Sequence, residues 1–181
     1  RMFNDAELAL AAYADLLQGS LADQRAILEA AGFSAKQSEE FAKKYPVVVA
    51  QFNDTAEGGL GTSLSATVFK DAAGNLTLAI RGTLELVGDI EPTDRNIALW
   101  GAGYDQIAAL YSWWMRASSP AGTLVPQYAV SASPQGSNAL ALPDGTYLVR
   151  RADVAATGTL ASALAADSDH KVEVTGHSLG G

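Results

Sequence analysis

A serine framed by glycines near the end of the chain has the spacing of a nucleophile turn. Residues 176–180 read "GHSLG", with Gly176 and Gly180 two positions on either side of Ser178. In this pattern a strand ends, the serine occupies a tight turn and a helix begins, and glycines avoid clashes with both elements. The turn exposes the serine hydroxyl and aims the backbone N–H of Leu179 at the point where an oxyanion forms. The pattern therefore predicts a nucleophile with one oxyanion donor beside it.

The residues that precede this motif form the strand that such a turn requires. "KVEVTG" (171–176) alternates apolar and polar side chains and runs directly into the motif, which is typical of a β-strand. Glu173 lies inside this strand, and a carboxylate in a central buried strand needs a charged partner or a proton. We therefore expect Glu173 to reach an arginine near a sheet end, or to lie where the helix layer is thin.

A second motif lies much earlier in the chain, where "LTLAIRGT" (76–83) ends in Thr83. The two motifs, in this order, resemble those of the lipase class 3 family, the α/β-hydrolases related to fungal extracellular lipases. Bacterial lipases exported by type I secretion carry similar motifs. The resemblance covers residues 46–116 and 160–181, and it covers 1–45 only loosely.

The resemblance implies the α/β fold class and an incomplete α/β-hydrolase fold, of which this chain holds the N-terminal part. It also implies that Thr83 gives its backbone N–H and its hydroxyl to the oxyanion hole, although a strand-end threonine can instead bond its own backbone. Arg81 is expected to brace that loop through a carboxylate. Ile80 stands where the family has phenylalanine, an apolar exchange that should be tolerated.

A serine nucleophile needs a general base and an orienting acid, which follow the serine in α/β-hydrolases. Only Leu179–Gly181 follow here. His177 adjoins the serine on a turn that makes neighbouring side chains diverge, and His170 lies in a polar loop. We therefore expect the catalytic acid and histidine to lie outside this chain, in a C-terminal remainder of the same enzyme. Residues 1–181 alone are predicted to be poorly stable and inactive on esters.

Four segments organise the chain within one predicted domain. Helical spacing predicts a lead-in over 1–45, and 46–116 holds β-branched runs, a hairpin and the oxyanion segment. Residues 117–146 are rich in Ser, Pro, Gly and Ala, which predicts a long insert, either a lid or a mobile surface loop. Residues 147–181 contain the nucleophile turn and are called the elbow segment. A strand is predicted near its start, and a helix is predicted before "KVEVTG".

Two capping boxes and one amphipathic helix are also predicted. Ser20 with Asp23, and Ser34 with Gln37, have the capping spacing, and Pro46 ends the third helix.

The helix at 104–116 carries Ile107, Leu110, Tyr111 and Trp114 at the spacing of one apolar face, which predicts that this face packs against the core.

The composition argues against several other kinds of site. The 12 Lys and Arg residues are unclustered and the formal net charge is −8, so no nucleic acid is expected as a partner. The absence of cysteine excludes disulfides and thiolate metal sites. Serine ester hydrolysis needs no cofactor; a calcium site at Asp89 and Asp94 is the alternative to solvated loop carboxylates there.

The predicted function is that of a lipase that hydrolyses acylglycerol esters through an acyl-enzyme intermediate. Its partners would be a lipid or ester substrate and, transiently, a lipid interface, and its relatives suggest a secreted, extracellular bacterial enzyme. Two alternatives remain open: a phospholipase A1 or carboxylesterase, and a non-catalytic fragment or module of a large secreted protein.

Overall fold

The computed structural model describes residues 2–54, 62, 64–81, 103–136, 138–166 and 171–177. The helices are α1 (Met2–Ala11), α2 (Arg25–Ala30), α3 (Ala35–Lys44), α4 (Tyr104–Ser118) and α5 (Ala161–Ala166). The strands are β1 (Gly19–Ser20), β2 (Val47–Asn53), β3 (Ser65–Lys70), β4 (Leu76–Arg81), β5 (Leu124–Ser131), β6 (Leu140–Ala141), β7 (Tyr147–Ala155) and β8 (Val172–His177). This mixture of helices with one mixed and one small sheet agrees with the predicted α/β class.

The chain divides into two compact units. The first comprises Arg1–Asn53, Ser65–Gly82 and Ser162–Gly181, and the second comprises Asp54–Leu64 and Thr83–Ala161. None of the helices within the described ranges combines the length and apolarity needed to cross a membrane.

The first unit is built on a five-stranded sheet in the order β1-β2-β3-β4-β8. The predicted hairpin is confirmed, because β3 and β4 pair antiparallel through the turn at residues 71–75. The predicted elbow strand, β8, pairs in parallel with β4, and α1 packs against both strands. Among the described residues, β8 is the outer strand on that side of the sheet.

Aromatic side chains fill the core of this unit. The ring of Phe41, on α3, lies 4.9 Å from that of Tyr45 and 5.6 Å from that of Phe69, centroid to centroid. Ala79 of β4 belongs to the same core. Since side chains two residues apart share one face of a strand, Arg81 lies on this helix-facing side of the sheet.

One of the two predicted capping boxes is confirmed and begins α3. The Ser34 hydroxyl accepts a hydrogen bond from the Gln37 N–H at 3.2 Å, and the Gln37 side-chain oxygen accepts one from the Ser34 N–H at 3.0 Å. The helix ends at Lys44, before Pro46, as predicted.

The other predicted capping box, Ser20 with Asp23, is wrong. Ser20 ends β1 and pairs with the second strand. The Gln24 side chain instead makes hydrogen bonds with the backbone of this segment. It accepts from the Leu17 N–H at 2.5 Å and donates to the Leu17 carbonyl at 2.7 Å. A glutamine that reaches back seven residues has no short-range sequence signature.

The second unit contains α4 and a three-stranded antiparallel sheet in the order β5-β7-β6. The segment 117–146, predicted to be a long insert, contains β5 and β6, so it holds regular structure that its composition did not indicate. Val125, Gln127 and Ala129 are buried on one face of β5, and Pro126 lies at an irregularity of its pairing, where proline is tolerated. The prediction of a lid stays a prediction.

Helix α4 forms where predicted, but it buries a different face. Ile107 and Tyr111 are exposed. The buried residues of the helix are mostly small, and they are Gln106, Ala108, Ala109, Ser112, Trp113 and Ala117. Small residues allow the sheet to approach closely on the buried side, so the larger apolar residues at 107 and 111 lie on an open side of the helix.

Candidate active site

The strands that carry the two sequence motifs are direct neighbours in the sheet. In the parallel pairing of β4 with β8, Ile80 is opposite Gly176 and Arg81 is opposite His177. Both strands therefore end level with each other at one edge of the sheet. The carboxyl ends of parallel strands are where α/β proteins commonly bind ligands, so this edge is the candidate site.

The residues predicted to do the chemistry adjoin this edge in sequence. Ser178, Leu179 and Gly180 follow β8, and Thr83 lies two positions beyond the end of β4; all four are outside the described residues. Gly176 is described, and its backbone pairs with Ile80 inside the sheet. Ile80 lies in β4 and is partly buried.

Arg81 is the charged side chain closest to the end of β4, and it is only 6% exposed. Its Cζ lies over the ring of Tyr13, 5.3 Å from the centroid. Burial lowers the pKa of Arg81, while Tyr13 and Asp15 raise it. Its Nε has no hydrogen-bond partner within the described part of the chain. The guanidinium is therefore desolvated against an aromatic face.

The brace that Arg81 is expected to give through a carboxylate concerns residues after β4 that are outside the described residues, so it stays a prediction. The contact with Tyr13 could not be predicted from the sequence, because the two residues are far apart along the chain and the cation–π geometry leaves no sequence pattern.

A polar network stabilises the helix-facing side of the same edge. Ser65, which pairs with Arg81 in the sheet, makes a hydrogen bond with the Asn53 side-chain oxygen. The Asn53 amide donates to the Asp15 carboxylate at 2.7 Å. One step further along the strands, Gln51 donates to the Ala14 carbonyl at 3.0 Å. These bonds join the segment after α1 to the strands, so the edge has a fixed scaffold.

The outer position of β8 corrects the expectation for Glu173. This side chain is exposed, which overturns the assumption that the strand buries it and agrees with the alternative that little of the helix layer covers this position. Sequence alternation identifies a strand, but it does not tell how many neighbours cover it.

The other titratable candidates contribute no described site. His170, Asp89 and Asp94 lie outside the described residues, and His177 is described as the last residue of β8. No cluster of three or more His, Cys, Asp or Glu side chains suited to a metal ion occurs in the ranges that the structure describes. The calcium alternative therefore stays a prediction.

Comparison of the chain with family models, with curated proteins and with solved structures finds no match. The resemblance to class 3 lipases therefore rests on the two sequence motifs alone.

Proposed function

We propose that this chain is part of a serine carboxylic-ester hydrolase of the lipase type, acting on acylglycerol esters. The observation that carries the proposal is the level ending of β4 and β8, with Ile80 opposite Gly176. A nucleophile and an oxyanion donor must meet within about 3 Å of one reacting atom. Two segments that leave neighbouring parallel strands at the same edge start close enough to satisfy that demand.

The proposed chemistry assigns one role to each predicted residue. Ser178 Oγ attacks the ester carbonyl carbon, the alcohol leaves with a proton, and the acyl-enzyme is then hydrolysed by water. The Leu179 N–H and the donors of Thr83 stabilise the oxyanion. The base that takes the Ser178 proton, and its orienting acid, are proposed to come from polypeptide outside this chain.

The long side of β8 that faces away from β4 supports the proposal of a larger sheet. In the described residues, β8 pairs only with β4, and Val174 is 65% exposed. An edge strand with exposed apolar side chains offers unpaired backbone groups to another strand. A further strand of an α/β-hydrolase sheet, from the C-terminal remainder, would cover this edge.

The decisive experiment uses a fluorophosphonate probe on the full-length protein. An activated serine displaces fluoride and becomes covalently phosphonylated, whereas an ordinary serine does not react. We expect wild type and the control Ser131→Ala to be labelled, and Ser178→Ala to remain unlabelled. Equal labelling of Ser178→Ala, or an unreactive wild type, would refute the proposal and favour a non-catalytic module.

Substrate class follows from a second assay on the same protein. Preferred turnover of emulsified triacylglycerol supports a lipase, whereas release of the sn-1 acyl chain from phospholipid supports a phospholipase A1. Turnover of short soluble esters alone supports a carboxylesterase.

A further inference from the structure

One face of α4 is apolar and is left uncovered by the described residues of the second unit. Ile107 is 58% exposed and Tyr111 is 48% exposed, although both stand at positions typical of a core-facing stripe. The helix packs on its small sheet through other side chains, including Ala109 and Trp113. The uncovered face is therefore available for contact with another molecule.

This face forms one wall of a cavity of about 390 Å³. Tyr104, Ile107 and Tyr111 line it from the helix, and Tyr128 and Leu148 line it from β5 and β7. Those of its lining residues that the structure describes all lie in the second unit. The cavity is thus a local feature of one compact unit.

Hydrogen bonds and ring packing hold the two walls together. The Ser112 hydroxyl of α4 donates to the Tyr128 carbonyl at 3.1 Å and accepts from the Tyr128 N–H at 2.9 Å. The rings of Tyr111 and Tyr128 meet edge to face, with centroids 5.7 Å apart. Opposite them, Leu148 is held in β7 by its pairing with Val130 and Leu140. A ligand would therefore meet a preformed cavity.

We propose that this cavity binds an uncharged small molecule that carries an aliphatic chain. None of the described residues that line the cavity is charged, although the whole chain has a net charge of −8. An ionic group placed here would lose water without gaining a partner. Aromatic rings and branched aliphatic side chains instead offer contacts that suit a hydrocarbon.

The volume of the cavity favours a small molecule over a protein as the bound partner. A dry apolar cavity of about 150 Å³ holds benzene, and small-molecule sites start at about 300 Å³. A space of about 390 Å³ suits a hydrocarbon larger than one ring and is enclosed on two sides by α4 and the sheet. The inference does not depend on the role proposed for Ser178, because it is argued only from the described residues that line the cavity.

The test is a fluorescence titration of the full-length protein with N-phenyl-1-naphthylamine, a neutral apolar probe, followed by displacement with 1-decanol. We expect saturable binding to one site and loss of the signal as 1-decanol is added. Ile107→Glu introduces a charge into an exposed part of the lining and should weaken probe binding at least about tenfold. Thermal unfolding of the variant verifies that it remains folded.

The matched control is Leu124→Glu, which makes the same kind of change at a residue that is 67% exposed in the same unit but outside the cavity. It should leave the affinity within about twofold of wild type, since no cavity contact is lost. Ser178→Ala should bind the probe like wild type, whatever its labelling result.

Three outcomes would overturn the inference. Unchanged affinity in Ile107→Glu would show that the probe binds elsewhere, and equal weakening in Leu124→Glu would show non-specific adsorption. Absence of probe binding together with a concentration-dependent dimer in sedimentation velocity, dispersed by Ile107→Glu, would assign the face to a second copy of the chain.

Discussion

The guanidinium of Arg81 lies over the ring of Tyr13, with its Cζ 5.3 Å from the ring centroid. Arg81 ends β4, and Tyr13 follows α1, so the contact joins the end of a helix to the end of a strand. The Nε–H of this buried cation donates no hydrogen bond within the described residues, so the aromatic ring supplies part of the stabilisation that water would give to an exposed guanidinium.

Removal of the Tyr13 ring should therefore destabilise the fold. Tyr13→Leu removes the aromatic face and leaves the guanidinium buried, and we expect a loss of about 1–2 kcal/mol in the free energy of unfolding. Tyr13→Phe keeps the ring and is the matched control, with a smaller loss expected. Urea denaturation followed by circular dichroism measures both.

A double-mutant cycle isolates the contact itself. Arg81→Met removes the charge while it retains an extended apolar chain, so Tyr13→Leu should cost less in this background, with a coupling of about 1 kcal/mol. Strictly additive losses would show that the ring and the guanidinium do not stabilise each other.

The turn between β3 and β4 should make the free energy of unfolding depend on pH in the acidic range. The Asp71 carboxylate accepts from the N–H groups of Ala73 at 2.9 Å and Asn75 at 2.8 Å, and from the Asn75 amide at 2.8 Å. Burial raises the pKa of Asp71, but these hydrogen bonds outweigh it, and the pKa lies below its ordinary value. The ionised form therefore stabilises the folded state.

Because the folded-state pKa is lowered, this contribution is complete above the unfolded pKa of about 3.9 and is lost as the pH falls through the folded value. Asp71→Asn should cost about 0.5–1 kcal/mol at pH 7, and the difference from wild type should shrink towards pH 3. Unfolding curves at both pH values test this, with Asp23→Asn, the same substitution at an exposed aspartate, as the matched control. A cost that is equal at both pH values would contradict the prediction.

Sequence patterns identified most elements of this fold, and the failures have specific causes. The β-branched runs of β3 and β4 and the cap at Ser34 are local signals, and the structure agrees with them. Strand β5 was not predicted from the sequence, because its buried face contains small or polar residues and a proline breaks its regular pairing. The prediction of which face of α4 is buried was wrong. Periodicity identifies a stripe of apolar residues, but it does not tell which side of the helix a neighbouring sheet approaches.

The candidate site divides in the same way. The motifs that end at Thr83 and begin at Gly176 are visible in the sequence, and so is their order. The strands that precede the two motifs are parallel neighbours, β4 beside β8, and this contact between distant segments is one that no local pattern encodes. The polar scaffold around Asn53 and the aromatic neighbour of Arg81 depend on the same tertiary arrangement.

Gly158 should be intolerant of any side chain for a steric reason. It has φ +69°, and an added Cβ would lie 2.8 Å from the backbone nitrogen of Ala121. Gly145 has a similar φ of +83° but open space around it. Gly145→Ala should cost about 1–2 kcal/mol through backbone strain alone, and Gly158→Ala should cost about 1–3 kcal/mol more through the clash. Thermal unfolding of the two variants measures the difference, and equal losses would exclude a steric contribution.

The last prediction concerns Thr83 and rests on the proposed hydrolase. If its hydroxyl donates to the oxyanion, Thr83→Val keeps the shape of the side chain but removes one donor, and kcat should fall by about 10²–10³. Thr83→Ser retains the donor and should stay within about tenfold of wild type. Fluorophosphonate labelling of Ser178 should persist in both variants, since the nucleophile is untouched. A valine variant as active as wild type would leave Thr83 with a backbone role only, as a strand-end threonine whose hydroxyl bonds its own chain.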